Sequence, residues 1–530
     1  MGKRFNTSGA CFQDLHYMVN LDSRAERIIQ ELVLQNKYFT INCARQYGKT
    51  TTLDFLYRRL RKNYSVFLLS FEDMGSASFS DEYQFCRTFL RLMKTQMDYG
   101  MTVGISESVY GEMEGYMGQV DFGFPMLKDF ITHMCTEADR AVVLIVDEVD
   151  QASNNQIFLD FLSILRSMYL KRRYIKTFQS VILASVYDVK NLKLRLRPDE
   201  EHKYNSPWNI AADFNIDMSF SAEDIASMLG EYESDYSTGM DIQSISRMLW
   251  DYTEGYPYLV SRICQFVDEQ ISGSNNYSDR SAAWTKEGIL AAVKKLLEEQ
   301  NTLFDDMGKK LSDIKSLDQM IRSILFYGKK IPYNPDDEAV RLGSMFGYLK
   351  KKDGVVAVSN RIFETRLYNR YLSENITENA LLDAANMGKS QFTADGFLNM
   401  DLVMKKFMIH FTEIYGKSEV RFLEENGRRI FLTYLRPIIN GVGNYYIEAR
   451  TRDQRRTDVI VDYLGKQYVI EMKLWHGDEY NRRGELQLAG YLDDYGLDKG
   501  YLLSFHFNKN KKTGMKEIRC NGKTILEVVV

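Results

Sequence analysis

No two of the six cysteines stand in a CxxC pair, and the six histidines nowhere join them at zinc-ligand spacing. That scatter, Cys11, Cys43, Cys86, Cys135, Cys264 and Cys520, excludes a disulfide scaffold and a structural zinc site and points to a reducing, cytoplasmic setting. The opening stretch MGKRFNTSGACFQDLHYMVN has no apolar signal core, and Asn6 departs from the myristoylation pattern. No run approaches the ~18 apolar residues that a membrane-spanning helix needs, so neither secretion nor membrane insertion is expected. An excess of either charge is missing too: 68 Lys and Arg against 72 Asp and Glu leave a formal net charge of -4. Any contact with nucleic acid must therefore come from a local patch. Internal repeats and low-complexity tracts are absent as well.

What is present is a soluble composition, 45% hydrophobic and 26% charged, spread over 530 residues, more than a single core usually supports. From Tyr38 to about Ile216 short apolar runs (YFTIN, SVFLLSF, AVVLIVD, SVILASV) alternate with amphipathic helical stretches. This pattern predicts a parallel sheet covered on both faces. Strand-like runs then stop, and SAEDIASMLGEYE and EGYPYLVSRICQFVDEQI read as helices of a small lid. In FGYLKKKDGVVAVSNRIFETRLYNRYL a Lys-Asp-Gly turn, a β-branched strand and a helix follow one another, which suits a winged-helix-like module. The three lysines of LKKKDG, Lys350 to Lys352, suit either DNA phosphates or packing between domains. The expected fold class is α/β: a P-loop NTPase parallel-sheet core (1–220), a helical lid (221–300), the winged-helix-like module (301–372), a linker (373–402) and a C-terminal α/β domain (403–530).

CARQYGKT follows the strand YFTIN and opens a helix, the context of a phosphate-binding loop. Gly48, Lys49, Thr50 and Thr51 are the expected nucleotide-binding residues: backbone N-H groups at the helix start meet phosphates, Lys49 reaches the β and γ oxygens, and Thr50 holds Mg²⁺. Cys43 stands where the usual pattern has its first glycine. The run AVVLIVDEVD delivers Asp147 to the end of a buried strand, where ligands bind in open parallel sheets. Asp147 is the expected second Mg²⁺ residue and Glu148 the group that polarises the attacking water. Arg195 and Arg197, downstream of SVILASV, fit a solvated basic face as well as a charge-stabilising role.

INCARQYGKTTTL, VLIVDEVD, ASVYDVKNL and EGYPYLV, in this order, resemble the bacterial and archaeal AAA-like ATPases close to the STAND class. The resemblance spans roughly residues 10 to 370. It implies ATP and Mg²⁺ as ligands, a polar residue at the end of SVILASV, here Ser185, that senses the γ-phosphate, and a Gly-x-Pro turn, here Gly255-Tyr256-Pro257, that reports the phosphate state.

Near the C-terminus, RTDVIVDYLGKQYVIEMKLW reads as two strands around a turn, with Glu471 and Lys473 on one face of the second. Asp458 and Glu471 suit a shared Mg²⁺, Lys473 suits positioning water or stabilising charge on a phosphate, and Gln487 and Tyr491 lie one helical turn apart downstream. A solvated face would look the same in the Glu-x-Lys triplet alone. A helix with Glu424 or Glu425, a strand with Asp458, a strand with Glu471 and Lys473, and a helix with Gln487 and Tyr491 resemble the PD-(D/E)xK nuclease superfamily, with Thr457 in place of its proline. The resemblance implies a restriction-endonuclease-like fold over 403–530, Asp458 and Glu471 as metal ligands, and Lys473 with Gln487 in catalysis. Joined to the ATPase, it implies a metal-dependent nuclease under nucleotide control, acting on DNA in mobile-element control or phage defence, with homo-oligomerisation open. The alternative is an ATP-driven switch or DNA-binding scaffold whose nuclease-like domain does not cut.

Overall fold

The computed structural model describes residues 2–152, 155–187, 189, 207–327, 329–374, 392–394, 397–415, 424–439, 443–447, 459–474, 478–506 and 513–530. The chain divides into two compact units. One holds Met1–Ser237, Gly255–Gln265 and Ser344–Gly347; the other holds Thr238–Glu254, Phe266–Gly343 and Tyr348–Val530.

In the first unit, β1 (Phe39–Asn42), β2 (Ser65–Ser70), β3 (Val142–Asp147) and β4 (Ser180–Ser185) form a parallel sheet in the order β1-β4-β3-β2. The period of two divides their side chains between two cores. Leu144, Val146, Val181 and Leu183 face a core built with the helices Glu82–Asp98, Phe124–Glu137 and Gln156–Lys171. Val143, Ile145, Ile182 and Ala184 face the helices Asp22–Ile28 and Lys49–Leu60. Every residue of β3 and β4 is buried, because helices cover both faces. This is the parallel core that the alternating apolar runs predict. A fifth position beside β1 is marked by a single parallel bridge, Phe39 to Ala212, with Ala212 N-H donating to Tyr38 O at 2.8 Å.

The second unit is helical before its first strands. The hairpin β5 (Leu349–Lys352) and β6 (Val355–Val358) turns through Asp353 and Gly354, both at positive φ, and leads into the helix Arg361–Glu374. A short antiparallel ribbon, β7 (Thr393–Ala394) with β8 (Phe397–Leu398), lies within the segment read as a linker and precedes the helix Met400–Tyr415.

The helix Glu424–Ile439 then leads to a six-stranded mixed sheet: β9 (Gly443–Ile447), β10 (Val459–Tyr463), β11 (Lys466–Leu474), β12 (Lys499–Phe505), β13 (Gly514–Cys520) and β14 (Lys523–Val529). The order is β13-β14-β12-β11-β10-β9, with β11, β12 and β14 parallel and the rest antiparallel. The β10–β11 turn is closed by Asp462, whose Oδ1 accepts the Gly465 N-H at 3.0 Å. Two-stranded antiparallel joins need only such a turn, whereas the parallel step from β11 to β12 requires the crossover helix Asp478–Asp494. Among the described residues no helix is long and apolar enough to cross a membrane.

Candidate functional site

The loop after β1 folds through two left-handed residues, Gln46 at φ 55° and Gly48 at φ 78°, before the helix Lys49–Leu60 begins. Gly48 caps that helix, so the N-H groups of its first turn have no intrahelical partners and form an anion cradle. Lys49 is buried and lies across the loop, its Nζ donating to Cys43 O and Ala44 O at 3.0 Å each. Thr50 Oγ1 donates to Asp147 Oδ2 at 2.8 Å. The other carboxylate oxygen, Oδ1, accepts the Glu148 N-H at 2.8 Å, so both oxygens of Asp147 are oriented. A hydroxyl and a carboxylate side by side are hard donors that fit Mg²⁺, and the cradle fits phosphate. Glu148 follows at φ 53°. Burial, and then the charge of Asp147, raise its carboxyl above the ordinary glutamate value.

Thr51 makes a different contact: its Oγ1 accepts the Cys11 N-H at 3.0 Å, which leaves its backbone N-H as the group for phosphate. Cys43, in the glycine position, donates its N-H to Ser185 O at 3.3 Å, and burial pushes its thiol up to about 11. It is therefore a neutral packing residue.

Asp150, given no role on sequence grounds, organises the end of β4. It accepts Ser185 Oγ at 2.6 Å, Val186 N at 2.8 Å and Tyr187 N at 3.2 Å. A hydroxyl has one proton, and that of Ser185 is engaged with Asp150, so toward a ligand Ser185 offers a lone pair. The only signal for Asp150 was its place as the last acid of DEVD.

The Gly255-Tyr256-Pro257 turn meets the same loop. Tyr256 Oη donates to Arg45 O at 2.5 Å, and its ring stands edge-on to Tyr47 at 4.7 Å. Gly255 has φ 72°, and a Cβ there would lie 1.9 Å from Phe220 O. Arg195 and Arg197 lie outside the described residues.

In the second unit, Glu471 is 1% exposed and Lys473 Nζ lies 2.8 Å from its Oε1. The crossover helix passes over them: a Cβ on Gly484 would lie 3.6 Å from Lys473 Cγ. Gln487 and Tyr491 share the helix face of Gly484, at i+3 and i+7, and Gln487 Nε2 donates to Tyr491 Oη at 2.5 Å. Asp458 lies outside the described residues; its successor Val459 pairs with Ile470, the residue before Glu471. The helix Glu424–Ile439 opens on Glu424 and Glu425. Among the described residues no three His, Cys, Asp or Glu side chains cluster at metal-binding distance. The β5–β6 hairpin is less free than LKKKDG suggests, since Lys350 pairs with Glu254 at 2.7 Å and burial lowers its ammonium pKa.

A parallel sheet in the order β1-β4-β3-β2, with a Gly-Lys-Thr helix start beside a strand-terminal Asp-Glu, defines a P-loop NTPase core. Residues 8–374 match the model of the AAA-like domain family, and the chain belongs to that family as an AAA-like P-loop ATPase. Among solved structures it is similar to the Walker-type ATPase of Pyrococcus abyssi, at 10% identity and TM-score 0.47, over 68% of this chain and 99% of that one. It is also similar to the ORC1 protein of Aeropyrum pernix in complex with DNA, at 9% identity and TM-score 0.30, over 68% and 94%. The ORC2 protein of the same organism, in ADPNP-ADP complexes, matches at 12% identity and TM-score 0.35, over 67% and 95%. No curated protein matches the chain.

Proposed function

We propose that the chain is an ATP-hydrolysing switch whose nucleotide state controls a metal-dependent nuclease in residues 403–530 acting on DNA. In the first unit, Lys49 and the N-H groups of the loop hold the triphosphate, and Thr50 with Asp147 hold Mg²⁺. Bound there, Mg²⁺ supplies charge neutralisation at the β and γ oxygens. Glu148 takes the proton of the attacking water, and Ser185, its own proton held by Asp150, accepts from that water.

The nuclease reading is carried by one observation: Glu471 is buried, with Lys473 against it on the same strand. A solvated face would leave both groups in water, whereas a buried carboxylate is costly unless paired or used. In this reading Glu471 joins Asp458 in holding Mg²⁺, Lys473 stabilises charge on the scissile phosphate, and Gln487 orients the lysine. The helix–hairpin–helix of 301–372 serves as the winged-helix-like connection.

Calorimetric metal titration beside a plasmid-nicking assay tests this reading. Asp458→Ala and Glu471→Ala should lose metal binding and cleavage together, and Lys473→Ala should lose cleavage but keep metal. Equal nicking by the wild type and all three variants, or none by any, would replace the nuclease with a DNA-binding scaffold.

A further inference from the structure

The phosphate-binding loop lies at the carboxyl end of the parallel sheet, where Asp147, Glu148 and Asp150 gather. The amino end has the opposite charge. The connections that enter β2, β3 and β4 carry six exposed cations, Arg61, Lys62, Arg140, Arg172, Arg173 and Lys176, against one exposed carboxylate, Asp139. In a chain of formal net charge -4 this is a local concentration, not a reflection of composition.

None of the six is in an ion pair with a described residue. Arg61, Arg140 and Arg172 bond to carbonyl oxygens, and Arg61 and Arg172 also stand over the rings of Tyr57 and Tyr169 at 5.4 and 3.8 Å, contacts that bring no opposite full charge. Arg140 donates to Arg61 O and Lys62 O at 3.4 and 3.2 Å, Arg61 to Gly100 O at 3.3 Å, and Arg172 to Tyr169 O at 2.8 Å. The two Arg140 bonds brace the connections into β2 and β3 against each other. Tyr174, between Arg173 and Lys176 in the chain, is 90% exposed, and Leu170, at the end of the preceding helix, is 59% exposed.

The C-terminal dipole of the helix Gln156–Lys171 favours nearby cations and accounts for Arg172 at its cap. The helix Lys49–Leu60 likewise has Arg61 at its cap, but such dipoles do not account for Lys176 or for an uncovered tyrosine.

We infer that this amino end of the sheet is a docking surface for duplex DNA, bound through its phosphates; the inference rests on the reading of DNA as the substrate. β4, β3 and β2 are adjacent strands, so the cations span roughly 10 Å across the sheet. That is enough to meet phosphates on both sides of a groove instead of one phosphate. Contacts to phosphates position DNA without reading its sequence. Exposed Tyr174 beside the basic run adds a face for sugar or base contact where the duplex opens.

The test uses the full chain, fluorescein-labelled duplex and anisotropy across a salt series. Arg173→Glu with Lys176→Glu, which leaves the Arg172 cap in place, should weaken binding about tenfold or more at low salt and flatten the log-log salt slope by roughly 2. ATP turnover should stay at the wild-type value. Unchanged affinity and slope would overturn the surface, and so would preferential binding to vesicles of anionic phospholipid over duplex. If wild-type binding is lost in the variant while no metal yields cleavage, the surface stands and the nuclease reading fails. If the variant binds normally and Glu471→Ala abolishes cleavage, the reverse holds.

Discussion

The phenol of Tyr256 donates a 2.5 Å hydrogen bond to the carbonyl oxygen of Arg45, so a turn more than 200 residues further along the chain is fastened to the phosphate loop. Buried phenols need such a partner, and a loop carbonyl held from outside restricts the loop's conformations. Tyr256→Phe keeps the ring packing on Tyr47 and removes only this bond. It should weaken ATP binding by about 1 kcal/mol, roughly fivefold, in a titration with a fluorescent ATP analogue. An unchanged Kd would mean that the turn packs on the loop without restraining it.

The two left-handed glycines of the site should respond differently to alanine. At Gly255 the added Cβ meets Phe220 O at 1.9 Å, so Gly255→Ala should cost about 2 kcal/mol or more, seen as a lower Tm. At Gly48 a Cβ meets nothing within 4 Å, so Gly48→Ala should cost about 1 kcal/mol from backbone strain alone, and its larger effect should be on phosphate binding.

Glu148 is held above the ordinary carboxylate range by burial and by Asp147. A base must be ionised, so ATP turnover should fall with acidification around a midpoint above 4.5, the ordinary glutamate value. Because the folded state binds this proton more tightly than the unfolded chain, Glu148 contributes stability below the unfolded pKa and loses it as pH rises through the folded one. Glu148→Gln should therefore keep ATP binding, lose turnover and raise Tm at neutral pH, with the Tm difference vanishing in acid. An equal Tm difference at all pH values would contradict this.

The elements written in short-range patterns were legible. Gly48, Lys49 and Thr50 are consecutive at one loop-to-helix junction, and a strand of five apolar residues announces Asp147. The turn between β10 and β11 and the shared face of Glu471 and Lys473 follow from a period of two. Contacts closed by tertiary structure were not legible. Asp150 reaches Ser185 across adjacent parallel strands, Tyr256 reaches Arg45 over more than 200 residues, and Thr51 meets the N-terminal segment through Cys11. The approach of Gly484 to Lys473 also depends on a helix crossing that no local pattern encodes.

Lys350 separates packing from DNA contact in the β5–β6 hairpin. Its partner Glu254 lies 2.7 Å away, and both side chains are about one-third exposed or less. Lys350→Glu should destabilise the fold by about 1 kcal/mol through like-charge repulsion and leave DNA affinity nearly unchanged, as read by thermal melts beside anisotropy. A large loss of DNA binding without a change in Tm would assign the hairpin to DNA instead.

Control of the C-terminal site by the nucleotide is tested most directly by plasmid cleavage in Mg²⁺ with the Glu148→Gln protein, which holds ATP without turning it over, beside Lys49→Ala, which does not hold it. The account predicts that the two variants sit at opposite extremes of cleavage rate, with the wild type moving between them as ATP is added and consumed. Identical cleavage by all three, with and without ATP, would contradict it.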